Sequence, residues 1–344
     1  MTKVAVLGAT GYTGIELVRL LDAHPGVELV FLSSESYAGK SLSDVHPQFR
    51  GHVDLTLNKM QIEDIPRDVD LVFCALPHGH SAGTVSGLLH KDFRVIDLSA
   101  DFRLKHAMLY KEWYDLDHPE PSLLKEAVYG LPECGNDDIK KAKLIANPGC
   151  YPTSIILALA PLLKEQLVAS DGLIIDAKSG VSGAGRTPKQ AFHFPECTEN
   201  FKAYRVASHQ HTPEIEQELG RLAGMEVKIT FIPHLVSMIR GILSTIYLQP
   251  VTGKTEEELR ALFSIFYGKN PFVRILEPPD LPETRFVRGS NYCDIALKMD
   301  QRTNRLIVIS VIDNLVKGAA GQAVQNMNIM LDLPEGTGLG QLPF

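Results

Sequence analysis

Much of what marks other protein classes is missing from this sequence. No apolar run approaches the ~20 residues that span a membrane, so no membrane contact is expected. The five cysteines, Cys74, Cys134, Cys150, Cys197 and Cys293, are odd in number and scattered without C-x-x-C spacing. That argues against a disulfide framework and a zinc site, and no metal is expected. Lysines and arginines form no basic cluster and the net charge is −7, so nucleic acid is not an expected partner. The chain enters a strand pattern at Lys3 without the layout of a signal peptide, which points to an unprocessed cytoplasmic protein. There is no internal repeat and no low-complexity segment. What is present is an ordinary globular composition, 44% hydrophobic and 22% charged over 344 residues, enough for two domains that each bury a core.

The stretch with the most chemistry is Asn147-Pro148-Gly149-Cys150-Tyr151-Pro152-Thr153-Ser154. The apolar run Leu144-Ile145-Ala146 leads in and an apolar-periodic run, Ile155 to Leu163, leads out, so the pattern is strand, tight turn, helix. Pro148 and Gly149 suit the turn, and Pro152 suits a first helical position. Cys150 then sits at a helix N-terminus, where unpaired N–H groups and the macrodipole favour an anion. A thiol there ionises below its free value of about 8.5. Cys150 is the expected nucleophile; a buried apolar cysteine is the plainer alternative.

Before this stretch the chain has a dinucleotide-binding pattern. A valine-rich strand, Lys3 to Leu7, is followed by Gly8-Ala9-Thr10-Gly11-Tyr12-Thr13-Gly14 and by Ile15 to Leu21 at helical spacing. Glycines let backbone approach a pyrophosphate at a helix N-terminus. Gly8, Thr10, Gly11, Tyr12, Thr13 and Gly14 are therefore expected to touch the cofactor. A second strand, Val27 to Leu32, ends in Ser33-Ser34-Glu35-Ser36, with Lys40 close by. Hydroxyls and a cation suit a 2′-phosphate, so Ser33, Ser36 and Lys40 predict NADP over NAD. Glu35 could instead serve the ribose. Strands over Asp70 to Leu76 and Phe93 to Leu98 deliver the loops at Pro77-His78-Gly79-His80 and Ser99-Ala100-Asp101-Phe102-Arg103. Such loops face the ligand in a doubly wound sheet. Pro77 is a cofactor candidate, and Arg103 is either an anion contact or a surface ion pair.

The second half reads as an α+β substrate domain. A strand, Leu173 to Lys178, precedes the glycine-rich Ser179-Gly180-Val181-Ser182-Gly183-Ala184-Gly185-Arg186. Ser182, Gly183 and Arg186 are candidates for the substrate. In Ser208-His209-Gln210-His211-Thr212-Pro213-Glu214, Thr212 suits an N-cap and Pro213 a first helical residue. His211 is favoured to shuttle protons beside a cysteine, with His209 behind it. Alternating runs, Val227 to Ile232 and Ile242 to Leu248, read as strands with one wet face. Further strands are expected near Asp294 to Lys298 and Leu306 to Ile312, with a helix from Thr255 to Tyr267. The final helix, beginning near Asn314, has small residues at helical spacing and is expected to return to the first domain, with Asn314 near the nicotinamide. The fold class is thus α/β: an NADP-binding, Rossmann-type doubly wound parallel sheet over 1–149 and 313–344, with a mixed-sheet substrate and oligomerisation domain over 150–312.

Together these motifs, with Leu76-Pro77-His78-Gly79 and Pro233-His234-Leu235, resemble the N-acetyl-gamma-glutamyl-phosphate reductase family along the whole chain. Ser237 stands where that family's pattern has proline. The resemblance implies NADPH-dependent reduction of an acyl phosphate through a Cys150 thioester, releasing inorganic phosphate, in arginine biosynthesis. It implies His211 as proton carrier, Arg103, Asn147, Arg186 and His209 on the substrate, and a homo-oligomer, dimer or tetramer. Alternatives are a related aspartate- or carrier-bound aminoadipate-semialdehyde dehydrogenase, a cysteine acyltransferase or hydrolase, and a nucleotide-sensing regulator.

Overall fold

The computed structural model describes every residue except Asn136 and Thr252. The chain divides into two units, Met1–Pro148 with Ala319–Gly340, and Gly149–Gly318 with Gln341–Phe344. The sequence pattern puts the return to the first unit at residue 313, but it falls at Ala319. Residues 313–318 are held in the second unit: the Asp313 carboxylate accepts the Gly289 N–H at 2.7 Å, and Asn314 accepts the Gly241 N–H at 2.8 Å.

The first unit is built on β1 (Thr2–Leu7), β2 (Val27–Ser33), β3 (Leu57–Asn58), β4 (Leu71–Cys74), β5 (Arg94–Asp97), β6 (Val128–Tyr129) and β7 (Leu144–Ala146). They form one sheet in the order β3-β2-β1-β4-β5-β7-β6, and every pair is parallel. β4 is buried at all four residues, as strands covered on both faces must be, hence their unbroken apolar runs. The order reverses between β1 and β4, which opens a crevice at the carboxyl ends of the strands. A helix, Tyr12–Asp22, starts directly after β1. The C-terminal helix, Gly321–Met330, is buried nearly throughout and packs against it.

The second unit holds β8 (Leu173–Gly180), β9 (Phe201–Ala203), β10 (Ile229–Val236), β11 (Ile242–Leu248), β12 (Val273–Ile275), β13 (Cys293–Asp300) and β14 (Arg305–Ile312). Their order is β12-β13-β14-β11-β8-β10-β9. Parallel pairs, β8–β10 and β12–β13, alternate with antiparallel ones, so the sheet is mixed. β10 runs on through Pro233 and His234, which the sequence pattern assigns to a connection. β11 alternates buried with half-buried residues, the mark of a sheet with one covered face. The helix Cys150–Lys164 is apolar on all sides and buried from Tyr151 to Leu163, as expected of a helix inside a core. It packs on β11 and β14. There Ser154 Oγ lies within hydrogen-bonding distance of Ser244 Oγ at 3.0 Å and Ser310 Oγ at 3.1 Å, donating to one and able to accept from the other, which fixes its register on an otherwise apolar surface. Among the described residues no helix is long and apolar enough to cross a membrane.

Candidate active site

The glycine turn of the first unit is a cradle that side chains would fill. Gly8 adopts φ +80°, and a Cβ on it would lie 2.4 Å from the Ala75 carbonyl oxygen. A Cβ on Gly14 would lie 2.2 Å from the Gly8 carbonyl oxygen. Gly11 is the N-cap of the helix Tyr12–Asp22, without a side-chain cap, and a Cβ there would meet only the Gly8 oxygen, at 3.7 Å. The first and last glycines thus let backbone pass backbone, while the middle one leaves the helix mouth open to an anion. This donor set suits a dinucleotide pyrophosphate.

Around the turn the expected residues divide. Ser33 is buried, and its hydroxyl accepts the Gly8 N–H at 3.3 Å. Thr10 is buried and shares a 2.8 Å hydrogen bond with Ser34. Both therefore brace the loop through these hydroxyls. Tyr12, Ser36 and Lys40 are exposed, Thr13 is half-buried, and Lys40 Nζ lies 5.8 Å from the Tyr37 ring centroid. The Glu35 carboxylate accepts the Met60 N–H at 3.0 Å. Pro77 is exposed at the carboxyl end of β4. Asp101 accepts the N–H groups of Gly79, Ser81 and Ala82, which ties the two expected loops together. Asp97 lies beneath them, fully buried. Burial pushes its carboxyl up to about 6, although the Ser81 and Ser99 hydroxyls both donate to it at 2.6 Å.

Two residues read as substrate contacts are struts of this unit. Arg103 is 5% exposed and donates to the carbonyls of Asn147 and Leu98, both at 2.8 Å. Asn147 is fully buried, donates to the Ala319 carbonyl and accepts from Asn326, both at 3.1 Å. These groups hold the end of β7.

In the second unit Cys150 is the first residue of its helix, Gly149 is the N-cap, and no side chain caps this end. Pro152 is the third helical residue, not the first, yet still within the turn whose N–H groups lack helical acceptors. Thr153 donates from both N–H and hydroxyl to the Gly149 carbonyl, each at 2.9 Å. Cys150 is half-buried. Cys74, by contrast, is sealed in the core, and burial drives its thiol well above the usual range.

The histidine motif belongs to the helix Thr212–Ala223, which packs against the Cys150 helix. His211 is its N-cap, and Thr212 is the first helical residue rather than the cap. The two helix mouths are joined by Glu214, a fully buried carboxylate that accepts the Gly149 N–H at 2.8 Å. Sequence reasoning passed over Glu214. Its signal is the three-residue spacing from His211, which puts both on one helix face. Tyr151 packs edge-on against both His209 and His211, with ring centroids 5.5 and 6.0 Å apart. His209 is 7% exposed, and its Nδ1 accepts the His211 N–H at 3.1 Å. Burial, with Arg205 nearby, pushes it down to about 4. His209 is thus a neutral brace for the His211 backbone.

The glycine-rich loop is knitted to the turn between β10 and β11. Val181 N–H donates to Met238, Ser182 N–H to Ile239 and Gly180 N–H to Gly241. Asn314 is 2% exposed, and its amide bridges Gly241 N–H and the Ser182 hydroxyl at 2.8 and 2.9 Å. Both ends of the amide expected near the nicotinamide are thus engaged within the second unit. Ser182 is buried by the same bond, Gly183 is exposed, and Arg186 is half-buried just beyond. The cluster contains an arginine the sequence pattern did not single out. Arg240, 13% exposed at the side chain, has its Nε 3.6 Å from the fully buried Asp313. Among the described residues no group of His, Cys, Asp and Glu is arranged to hold a metal.

Residues 3–142 match the family profile described as semialdehyde dehydrogenase, NAD binding domain, and residues 150–314 match semialdehyde dehydrogenase, dimerisation domain. The N-acetyl-gamma-glutamyl-phosphate reductase of Pelotomaculum thermopropionicum is 54% identical over 98% of this chain and 97% of its own. That of Desulforamulus reducens is 55% identical over 98% of each. Among solved structures, aspartate semialdehyde dehydrogenase II from Vibrio cholerae superposes with a TM-score of 0.74 at 18% identity, covering 96% of this chain and 98% of that one. The Candida albicans aspartate semialdehyde dehydrogenase with NADP gives 0.73 at 17%, covering 96% and 99%. These two share the fold. With a nucleophile-type cysteine at a helix mouth, a glycine cradle in a parallel sheet and relatives above 50% identity along the full length, the chain belongs to the N-acetyl-gamma-glutamyl-phosphate reductase family of semialdehyde dehydrogenases.

Proposed function

We propose that this protein reduces N-acetyl-gamma-glutamyl phosphate to N-acetyl-L-glutamate 5-semialdehyde and inorganic phosphate with NADPH, a step of arginine biosynthesis. The observation that carries the mechanism is Cys150 at the first position of an uncapped helix, with Glu214 holding the preceding peptide to the helix that carries His211. Cys150 attacks the acyl carbonyl as thiolate, the C–O bond to phosphate breaks, and a thioester forms. Gly8, Gly11, Gly14 and the exposed Lys40 would hold NADPH, which would supply the hydride needed to take the thioester to the aldehyde level. N–H groups of the helix mouth hold the oxyanion that develops on the carbonyl. His211 lends its proton to that oxygen and recovers it as the C–S bond breaks, while the one proton consumed overall ends on phosphate. Arg240 and Arg186 are the cations of this unit proposed for the substrate's anionic ends, where a planar guanidinium fork suits oxyanions.

The match to a dimerisation domain supports a homo-oligomer built through the second unit. The use of NADPH and a labile acyl phosphate supports a cytoplasmic location. The test is phosphate-dependent reduction of NADP with N-acetylglutamate semialdehyde. Turnover that requires both phosphate and this aldehyde is expected, and preference for aspartate semialdehyde would overturn the substrate assignment.

A further inference from the structure

The chain leaves β14 and enters its last helix through a π-helical turn, Val316–Ala320. Such turns are rare and concentrate at functional sites. The wide bond is visible in Gly318, whose N–H donates five residues back to the Asp313 carbonyl at 2.9 Å. The extra residue brings Gly318 against the candidate nucleophile. A Cβ on Gly318 would lie 2.8 Å from Cys150 Cβ and 3.2 Å from Cys150 Cα. Neither neighbour is the end of a flexible side chain, so a methyl there displaces the first residue of the Cys150 helix.

One side chain binds two N–H groups where the turn begins. Asp313, fully buried, accepts Leu315 N–H at 2.8 Å and Val316 N–H at 3.2 Å through one oxygen. Through the other it accepts Gly289 N–H and faces Arg240. Its carboxylate fixes where the turn begins and its own carbonyl fixes Gly318. Glu214 holds the Gly149 N–H. The start of the Cys150 helix is therefore held at two neighbouring residues, Gly149 by a hydrogen bond to Glu214 and Cys150 by the close approach of Gly318.

We propose that Asp313 and Gly318 are positioning residues for the reaction: the π turn held by Asp313 sets Gly318 against Cys150 and so fixes where the thiol sits at the helix mouth. This rests on Cys150 being the nucleophile. It adds that the thiol's placement is imposed from a turn more than 160 residues away in sequence. Asp313 also links that turn to Arg240, so the cation proposed for the substrate and the placement of the sulfur share one carboxylate.

The experiment measures the rate of Cys150 alkylation by iodoacetamide against pH, beside kcat and KM, in Gly318→Ala and Asp313→Asn, with circular dichroism to establish folding. The Gly318→Ala methyl is expected to lower the alkylation rate and shift its pH profile. It should also lower kcat on the order of 100-fold, the cost of misplacing a reacting atom by about 1 Å, with KM changed far less. Asp313→Asn keeps one acceptor oxygen but turns an amide N–H group toward Gly289 N–H or the turn, and the same displacement is expected to a smaller degree. If Gly318→Ala does not fold, Asp313→Asn decides. A folded variant that alkylates as wild type at every pH overturns the proposal, whatever its kcat. Failure of the underlying reading looks different: Cys150→Ser would then retain turnover.

Discussion

The two units build their binding chemistry in opposite ways. In the first, the candidate cofactor turn works by what is missing: three glycines without Cβ atoms and a helix end without a cap, while Ser33 and Thr10 turn inward to brace it. In the second, the candidate site is made of what is present: a thiol and a histidine, with His209, Glu214, Arg240 and Asp313 around them, these four each bonded to or paired with another side chain or backbone group. A backbone cradle recognises a feature common to all dinucleotides, so it needs shape and little else. Covalent chemistry needs a sulfur, a proton carrier and an anion holder at fixed mutual positions, so it needs side chains braced by other side chains.

The comparison breaks first at Cys150. Cys150→Ser is expected to lower turnover by more than about 10⁴-fold, the scale of losing a nucleophile, while NADPH still quenches Trp113 fluorescence in the first unit. Retained turnover would remove the chemistry from the second unit altogether. His211→Asn is expected to cost about 10²–10⁴-fold in kcat, the range for a general acid–base group, with a smaller change in KM. No change in kcat would pass the proton to another group. Gly14→Ala sharpens the other side. Its methyl, 2.2 Å from the Gly8 oxygen, is expected to destabilise the turn by about 1–3 kcal/mol, as overpacking does, and to weaken NADPH quenching. Cys150 alkylation without cofactor should stay at the wild-type rate. A parallel loss of alkylation would show that the two sites are not separately built.

The same contrast explains what could be read in advance. The cradle was legible because its signal is local: glycine spacing after one strand and before one helix. The Cys150 turn was legible for the same reason. Roles that depend on partners distant in sequence were not. Nothing near Arg103 and Asn147 in the chain shows the carbonyls and the amide that engage them in three dimensions. Nor does the sequence show that Gly241 and Ser182 engage Asn314. Arg240 and Asp313 carry no mark in the chain of what they face, and Glu214 carries only its three-residue spacing from His211. In the fold, the strands that went unread are β3, β6, β9 and β12, two or three residues each, and they are the outer strands of the two sheets. An edge strand has one neighbour and little burial, so it leaves no alternating pattern to detect.

The subtlest difference lies in two buried ionisable groups displaced in opposite senses. His209, in the second unit, is pushed down to about 4, chiefly by burial, against an unfolded value of about 6.5. Between those values the unfolded chain binds more protons than the folded one, so stability from this group rises with pH and is lost on acidification. Asp97, in the first unit, is pushed up to about 6, again by burial, against about 3.9 unfolded. Between those values the folded chain binds more protons, so this group's contribution falls as pH rises. Each slope is about 1 kcal/mol per pH unit within its window. His24, lowered by burial in the first unit, works against Asp97 there, so the reading must come from variants rather than from wild type alone. Urea unfolding followed by Trp113 fluorescence for the first unit, and by circular dichroism for the whole chain, should be run between pH 4.5 and 6. Replacing His209 with Gln is expected to flatten the acid-side loss of stability, and replacing Asp97 with Asn to remove a loss that grows as pH rises. If both replacements change the pH slope in the same direction, burial is not what sets these two groups apart.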